Sequence, residues 1–205
     1  MEMFEISPRP LTLDTLRRLL EHPEIKVTLS EAAKSRIQRC RDYLDRKMDN
    51  VNVSIYGVTT GFGSLCNKTI SRGELSQLQA NLVMSHACST GSPVEEEVIR
   101  LMLLLKAHAL SLGNSGVQVA TVERILDLYN HALLPVVFDR GSLGASGDLA
   151  PLANLFLPLL GMGEVYKNGV RTPMEQVMRE QGWQPITLQS KEGLALLNGT
   201  QFMGA

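Results

Sequence analysis

Ser146 lies in Gly141-Ser142-Leu143-Gly144-Ala145-Ser146-Gly147-Asp148, between a brief apolar run at Pro135 to Phe138 and an apolar segment that starts at Leu149. A serine on a strand–turn–helix corner invites an acyl-transfer reading. That elbow takes the form G-x-S-x-G, however, and Asp148 stands where its last glycine belongs. A plainer reading is a Gly-rich turn with Asp148 as the N-cap of a helix and Pro151 in its first turn, where a missing N–H costs little. A third is self-modification. In a tightly bent chain the nitrogen of Gly147 can attack the carbonyl carbon of Ala145, and loss of water closes a five-membered ring. Loss of a second water, from Ser146, leaves an exocyclic methylidene. The product is the electrophile 4-methylidene-imidazol-5-one. Gly147 supplies an unhindered nitrogen and permissive dihedrals, Ser146 the leaving hydroxyl, and Ala145 a side chain small enough to let the loop fold back.

Two other segments have chemical potential. Tyr56-Gly57-Val58-Thr59-Thr60-Gly61-Phe62-Gly63 is too rich in glycine and β-branched residues for a helix and reads as a loop. Three glycines let its backbone approach a ligand, but no G-K-[ST] follows and G-x-G-x-x-G is absent, so a nucleotide cradle is not indicated. Tyr56 by itself is equally a packing tyrosine with a satisfied hydroxyl. Leu196-Leu197-Asn198-Gly199-Thr200-Gln201 places the Asn198 amide at the end of an apolar helix, where Asn-Gly often serves only as a stop. His22, His108 and His131 have no ligand or triad spacing, and no metal site is expected. Glu95 to Glu97 is explained by the first turn of a solvated helix.

The elements that must position these residues are mostly helical. The spacing Ser/Thr-x-x-Glu/Gln recurs at Ser71–Glu74, Ser92–Glu95, Ser115–Gln118 and Thr172–Glu175, as in capping boxes, and Pro93 and Pro173 suit first-turn positions. These signals predict helices near 30–48, 73–89, 93–111, 116–131, 148–160, 173–181 and 190–198. Leu101, Leu104, Leu105 and Ala109 follow helical spacing, while Val98, Met102 and Leu103 widen the apolar face until it nearly encircles the helix, which predicts burial on all sides. Strands are expected at Val51 to Tyr56 and Pro135 to Phe138, and a hairpin at Val165 to Arg171 around Asn168-Gly169. No internal repeat or flexible linker interrupts the chain, so residues 1–205 read as one mainly α domain.

The 205 residues are 44% hydrophobic, enough for a core, with 20 basic and 21 acidic residues and a formal charge of −1. Neither nucleic acid nor an anionic membrane is favoured as a partner by that balance; a small neutral or zwitterionic substrate fits better. Cys40, Cys66 and Cys88 are odd in number and widely spaced, arguing for a reducing cytoplasm over a disulfide framework. No apolar run reaches the roughly 18 residues of a membrane span, and the N-terminus lacks a secretion signal. The C-terminal KEGLALLNGTQFMGA ends in apolar and small residues without a polar tail, which reads as a truncation.

Taken together, Tyr56 to Gly63, Ser85-His86-Ala87, Gly144 to Ala153 (GASGDLAPLA) and Glu192 to Gln201 (EGLALLNGTQ) resemble, in order and spacing, the histidine and aromatic amino acid ammonia-lyase family. The resemblance covers nearly the whole chain and implies the N-terminal part of the histidine/phenylalanine ammonia-lyase helical fold, ahead of a long C-terminal helical bundle. It implies that Ala145-Ser146-Gly147 forms the methylidene-imidazolone without a metal. Tyr56 would take part in proton transfer at the carbon β to the substrate carboxylate, Asn198 would assist near the electrophile, and Ser85-His86 would lie beneath the substrate ring. The implied reaction is non-oxidative deamination of histidine to urocanate and ammonia, a step of histidine degradation, with tyrosine or phenylalanine as alternative substrates. Family members are longer and assemble as homotetramers, so the 205-residue chain alone is expected to be inactive; a non-catalytic fragment retaining the fold is the remaining alternative. Ala87-Cys88-Ser89-Thr90-Gly91 departs from the Ala-Gly-rich version typical of histidine lyases, and Asn154 stands where those often carry histidine.

Overall fold

The structure is a computed structural model that describes residues 2–50, 55, 58–60, 74–144 and 147–205. It opens on a β–α–β unit. Strand β1 (Met3–Ile6) pairs in parallel with β2 (Lys26–Leu29), and helix α1 (Leu13–Glu21) makes the crossover. Thr12 caps α1 by accepting from the Thr15 N–H at 3.2 Å. The free edge of β2 is occupied by a side chain: the Asn130 amide accepts from the Val27 N–H and donates to the Val27 carbonyl, both at 2.8 Å. None of these three elements is among the sequence expectations.

Helices α2 (Glu31–Asn50), α3 (Leu75–His86), α4 (Glu96–Ser111) and α5 (Val119–Asn130) follow. All four lie where helices are predicted, with starts and ends shifted by a few residues. Helix α4 is the centre of the core. Ile99, Met102, Leu103, Leu104, Ala107 and Leu110 are buried on it, and it packs against α1, α2 and α5. Burial is not all-round: the deepest face runs through Leu103, Lys106 and Leu110, while Leu101, Leu105 and Ala109 on the other face are half-buried.

The capping boxes are a correction. Helix α4 starts at Glu96 with Glu95 as N-cap, and α5 at Val119 with Gln118 as N-cap; neither makes a side-chain capping bond. Ser92 and Pro93 instead belong to strand β3 (Thr90–Pro93), and the Ser92 N–H donates to Asp139 at 2.9 Å. Ser71 lies outside the described residues. Glu96 and Glu97 do occupy the first turn of α4.

The strand expected at Pro135 to Phe138 is two strands in two different sheets. Strand β4 (Leu134–Pro135) joins β6 (Glu164–Lys167), whereas β5 (Phe138–Arg140) pairs antiparallel with β3. Strands β6 and β7 (Val170–Pro173) form the predicted hairpin, with Asn168 at φ 52° and Gly169 at φ 74°, the double left-handed turn that favours Asn-Gly. Thr172 and Pro173 therefore end a strand, and α7 (Met174–Gln181) begins after them without a capping bond. Of the strand expected at 51 to 56 only Ile55 is described; its carbonyl accepts from the N–H groups of Val58 and Thr59, which marks a turn.

The chain finishes with α6 (Leu149–Phe156), a short 3-10 continuation at Leu157–Leu160, α8 (Glu192–Leu197) and α9 (Gln201–Gly204). Helices α3, α6 and α8 pack on one another. Their ends carry the residues singled out in the sequence.

Candidate active site

Helix α6 starts at the tripeptide. Asp148 is its N-cap residue, as expected, but its buried carboxylate makes no capping bond. It accepts instead from the Ser142 hydroxyl at 3.1 Å and the Met203 N–H at 3.0 Å, so it ties both flanks of the loop to α9. Pro151 sits in the first turn of α6, as expected. Ala145, Ser146 and Tyr56, like the loop 61–63, lie outside the described residues.

Gly147 is described, and its setting is restrictive. It is buried at φ +123°, a conformation that L side chains rarely adopt. A Cβ there would lie 2.5 Å from the carbonyl oxygen of Gly199 and 2.8 Å from its nitrogen. The adjoining Asp148 N–H donates to the same Gly199 carbonyl at 2.7 Å. The chain leaving the tripeptide is thus laid backbone-to-backbone on the turn that follows Asn198, and the two segments picked out separately in the sequence meet here. Beside this contact Gln201 Oε1 is buried with no hydrogen-bond partner among the described residues. A seat that admits only glycine lets the two backbones touch directly.

Asn198 is the C-cap of α8 and exposed; its N–H closes the helix onto Leu194 and its carbonyl accepts from Lys106 Nζ at 3.1 Å. Helix α8 has only six residues and is held by contacts made at its start. Glu192, fully buried, accepts from the Gln118 N–H (2.8 Å) and side chain (2.6 Å), the Thr121 hydroxyl (2.7 Å) and the Gln189 N–H (2.7 Å). Arg41, also buried, reaches across from α2 to the carbonyls of Gly116 and Ser190 at 2.7 and 2.9 Å. Four charge-assisted bonds on one carboxylate predict that Glu192→Ala lowers stability by roughly 3 kcal/mol, because the Thr121 hydroxyl stays buried without its acceptor and the half-buried Gln118 loses two bonds. Urea denaturation measures this, and a loss below about 1 kcal/mol would mean that water replaces the carboxylate.

Ser85 and His86 end α3. His86 is half-buried, with Nδ1 2.9 Å from the Leu82 carbonyl and 3.2 Å from the Ser85 hydroxyl. A carbonyl can only accept, so Nδ1 carries the proton, and in the neutral ring Nε2 is left as a bare acceptor. The loop after His86 is fastened to α6, the Ser89 N–H donating to Asn154 Oδ1 at 3.3 Å. Asn154, noted in the sequence as a departure, thus links the His86 loop to the helix that follows the tripeptide.

Sequence reasoning missed Lys106, Glu192 and Arg41 as supports of this region. Lys106 had a visible signal, a lysine inside the apolar run Leu101 to Leu110. The partners of Glu192 and Arg41 lie 71 to 75 residues away for Thr121, Gln118 and Gly116, and no local pattern announces them. Among the described residues no group of histidines, cysteines and carboxylates could hold a metal ion, and no helix is long and apolar enough to cross a membrane. Cys40 and Cys88 are free thiols.

A helical fold in which a glycine-only turn before one helix is pressed onto an Asn-Gly turn after another defines the class, a helical scaffold built around a backbone contact. The aromatic amino acid lyase family profile matches residues 11–205, and the chain belongs to that family. It is 50% identical over 200 residues to a histidine ammonia-lyase of Deinococcus radiodurans, covering 98% of this chain and 38% of that protein. It is 46% identical over 203 residues to the histidine ammonia-lyase of a Geobacillus strain, covering 99% and 40%. Among solved structures, histidine ammonia-lyase from Trypanosoma cruzi superposes with a TM-score of 0.88 at 36% identity, over 99% of this chain and 39% of that one. Tyrosine aminomutase from Streptomyces globisporus gives a TM-score of 0.89 at 33% identity, over 97% and 37%. The chain therefore spans about two-fifths of the length of these relatives.

Proposed function

We propose that the chain is the N-terminal domain of a histidine ammonia-lyase, and that Ala145-Ser146-Gly147 cyclises to 4-methylidene-imidazol-5-one. The seat of Gly147 against Gly199 carries this reading: a bend that admits no side chain sits at the one peptide nitrogen that must attack. In the ring closure that nitrogen bonds to the Ala145 carbonyl carbon, whose oxygen leaves as water with the amide protons of Gly147 and Ser146. Ser146 then loses its hydroxyl and its Cα hydrogen as the second water. The group, once formed, supplies an electrophile that draws electrons from the substrate as ammonia leaves.

The other assignments concern this chain's own residues. The β-hydrogen of the substrate is barely acidic, so a side-chain base acts on it only with that electron withdrawal; Tyr56 is the residue assigned to this proton. Asn198, next to the Gly199 contact, assists beside the ring. Ser85 and His86 bind the substrate ring, with Nε2 of His86 accepting from a ring N–H. The same acceptor suits a phenol hydroxyl, which keeps tyrosine as the second reading and places phenylalanine, without such a donor, third. Side-by-side turnover of histidine, tyrosine and phenylalanine by the assembled enzyme separates the three.

Carboxylate-binding groups and further catalytic residues would come from outside these 205 residues, in a cytoplasmic homotetramer that degrades histidine. The chain alone should show no turnover, since an electrophile without a positioned substrate gains nothing from proximity. Peptide mass spectrometry over residues 141–153 is the deciding experiment. Loss of two waters confined to Ala145-Ser146-Gly147 is expected, and Ser146→Ala should abolish the second loss. An unmodified tripeptide would leave the non-catalytic scaffold as the better account.

A further inference from the structure

Among the described residues Lys106 is the one lysine placed deep in the core. It lies in the middle of α4, 2% exposed, and among the described residues no carboxylate is within ion-pair distance of it. Burial lowers its ammonium from the ordinary 10.5 to about 7. Holding a desolvated amine is unfavourable unless the group makes a bond that the fold uses.

The contacts of Lys106 converge on one place. Its Nζ donates to the Asn198 carbonyl at 3.1 Å and stands 5.9 Å from the ring centroid of Phe156, the last residue of α6. That carbonyl belongs to the peptide joining Asn198 to Gly199. Gly199 in turn is the residue against which Gly147 is pressed and whose carbonyl receives the Asp148 N–H. Rotating the Asn198–Gly199 peptide would move the floor beneath Gly147 and the Asn198 side chain together. Helix α8 ends at Leu197, and the described chain offers this carbonyl no donor besides Lys106.

We propose that Lys106 is a positioning residue for closure of the Ala145-Ser146-Gly147 ring, fixing the Asn198–Gly199 peptide that backs Gly147. The proposal rests on the reading of that tripeptide as a self-cyclising one. Lys106 itself neither attacks nor transfers a proton; it acts through the peptide it holds. Since a neutral amine still donates an N–H, the contact survives deprotonation of the side chain.

The test follows dehydration of the tripeptide over time by peptide mass in the 205-residue chain and in Lys106→Met, Lys106→Arg and Lys106→Gln. Methionine fills nearly the same volume without a donor; arginine and glutamine keep one. Dehydration in Lys106→Met is expected to slow by roughly 10- to 100-fold, the scale of a misplaced reacting group, with arginine restoring it to within a few-fold of the unaltered chain. Circular dichroism limits the comparison to folded protein, since a purely structural role would change the folded fraction but not the rate within it. If the methionine variant does not fold, glutamine decides: dehydration close to the unaltered rate supports the role, and a folded glutamine variant that stays undehydrated overturns it. Equal rates in the unaltered and methionine chains would overturn the positioning role alone. An unaltered chain that never loses water would overturn both this role and the reading beneath it.

Discussion

Gly147→Ala is expected to stop loss of water from the tripeptide and to lower stability by roughly 2–5 kcal/mol. Two costs add. At φ +123° an alanine is strained on its own account, by about 1–3 kcal/mol. Its Cβ would also sit 2.5 Å from the Gly199 carbonyl oxygen and 2.8 Å from the Gly199 nitrogen, and backbone cannot swing aside as a side-chain tip can. Relief requires separating the two turns, which would break the 2.7 Å bond from the Asp148 N–H to the Gly199 carbonyl and withdraw the nitrogen proposed to attack.

Gly144→Ala is the matched control. Gly144 also has a positive φ, +68°, but a Cβ there meets nothing within 4 Å. It should cost only the local strain, on the order of 1 kcal/mol, and leave dehydration intact. Urea midpoints and peptide masses on both variants read the two effects separately. Equal losses in the two would mean that backbone strain, not the contact with Gly199, makes glycine necessary at 147.

The sequence made some of this visible and hid the rest for identifiable reasons. The length and apolar breadth of the Leu101 to Leu110 run made α4 plain, and Asn168-Gly169 marked the hairpin, because in both cases the determining interactions are local. The β1–α1–β2 unit escaped because its strands have four residues each and pair across some twenty others, with β1 largely exposed. The capping boxes misled for a related reason. Ser115 and Gln118 have the spacing, but the Gln118 N–H is satisfied by Glu192, 74 residues on, so the local partner is not needed. Gly147 and Asn198 were named from separate motifs; that they are neighbours through Gly199 is a tertiary fact. Tyr56, Ala145 and Ser146 rest on the sequence resemblance, while for His86 the structure adds a contact from Nδ1 to the Leu82 carbonyl that leaves Nε2 as the acceptor of a neutral ring.

Lys106 carries the second large expectation, a pH dependence of stability. Its value is about 7 in the folded chain, against the ordinary 10.5 that an unfolded chain restores. Between those values the unfolded state binds the proton and the folded state does not, so stability rises with pH across the window, by about 1.4 kcal/mol per unit at most. Below about pH 7 both states are protonated, the slope vanishes and the full penalty of a buried charge remains. Lys106→Met removes that penalty along with the donor. Relative to the unaltered chain the variant should therefore fare best near pH 6 and lose about 2–3 kcal/mol of that standing by pH 9. Lys191, also lowered by burial, titrates in both proteins and cancels in the difference. Urea midpoints of the two at pH 6, 7, 8 and 9 provide the curve, and a difference that stays flat would show that Lys106 keeps an ordinary affinity for its proton. A rising difference, read beside the dehydration rates of the same variant, would separate what the buried charge costs the fold from what its hydrogen bond does for the peptide behind Gly147.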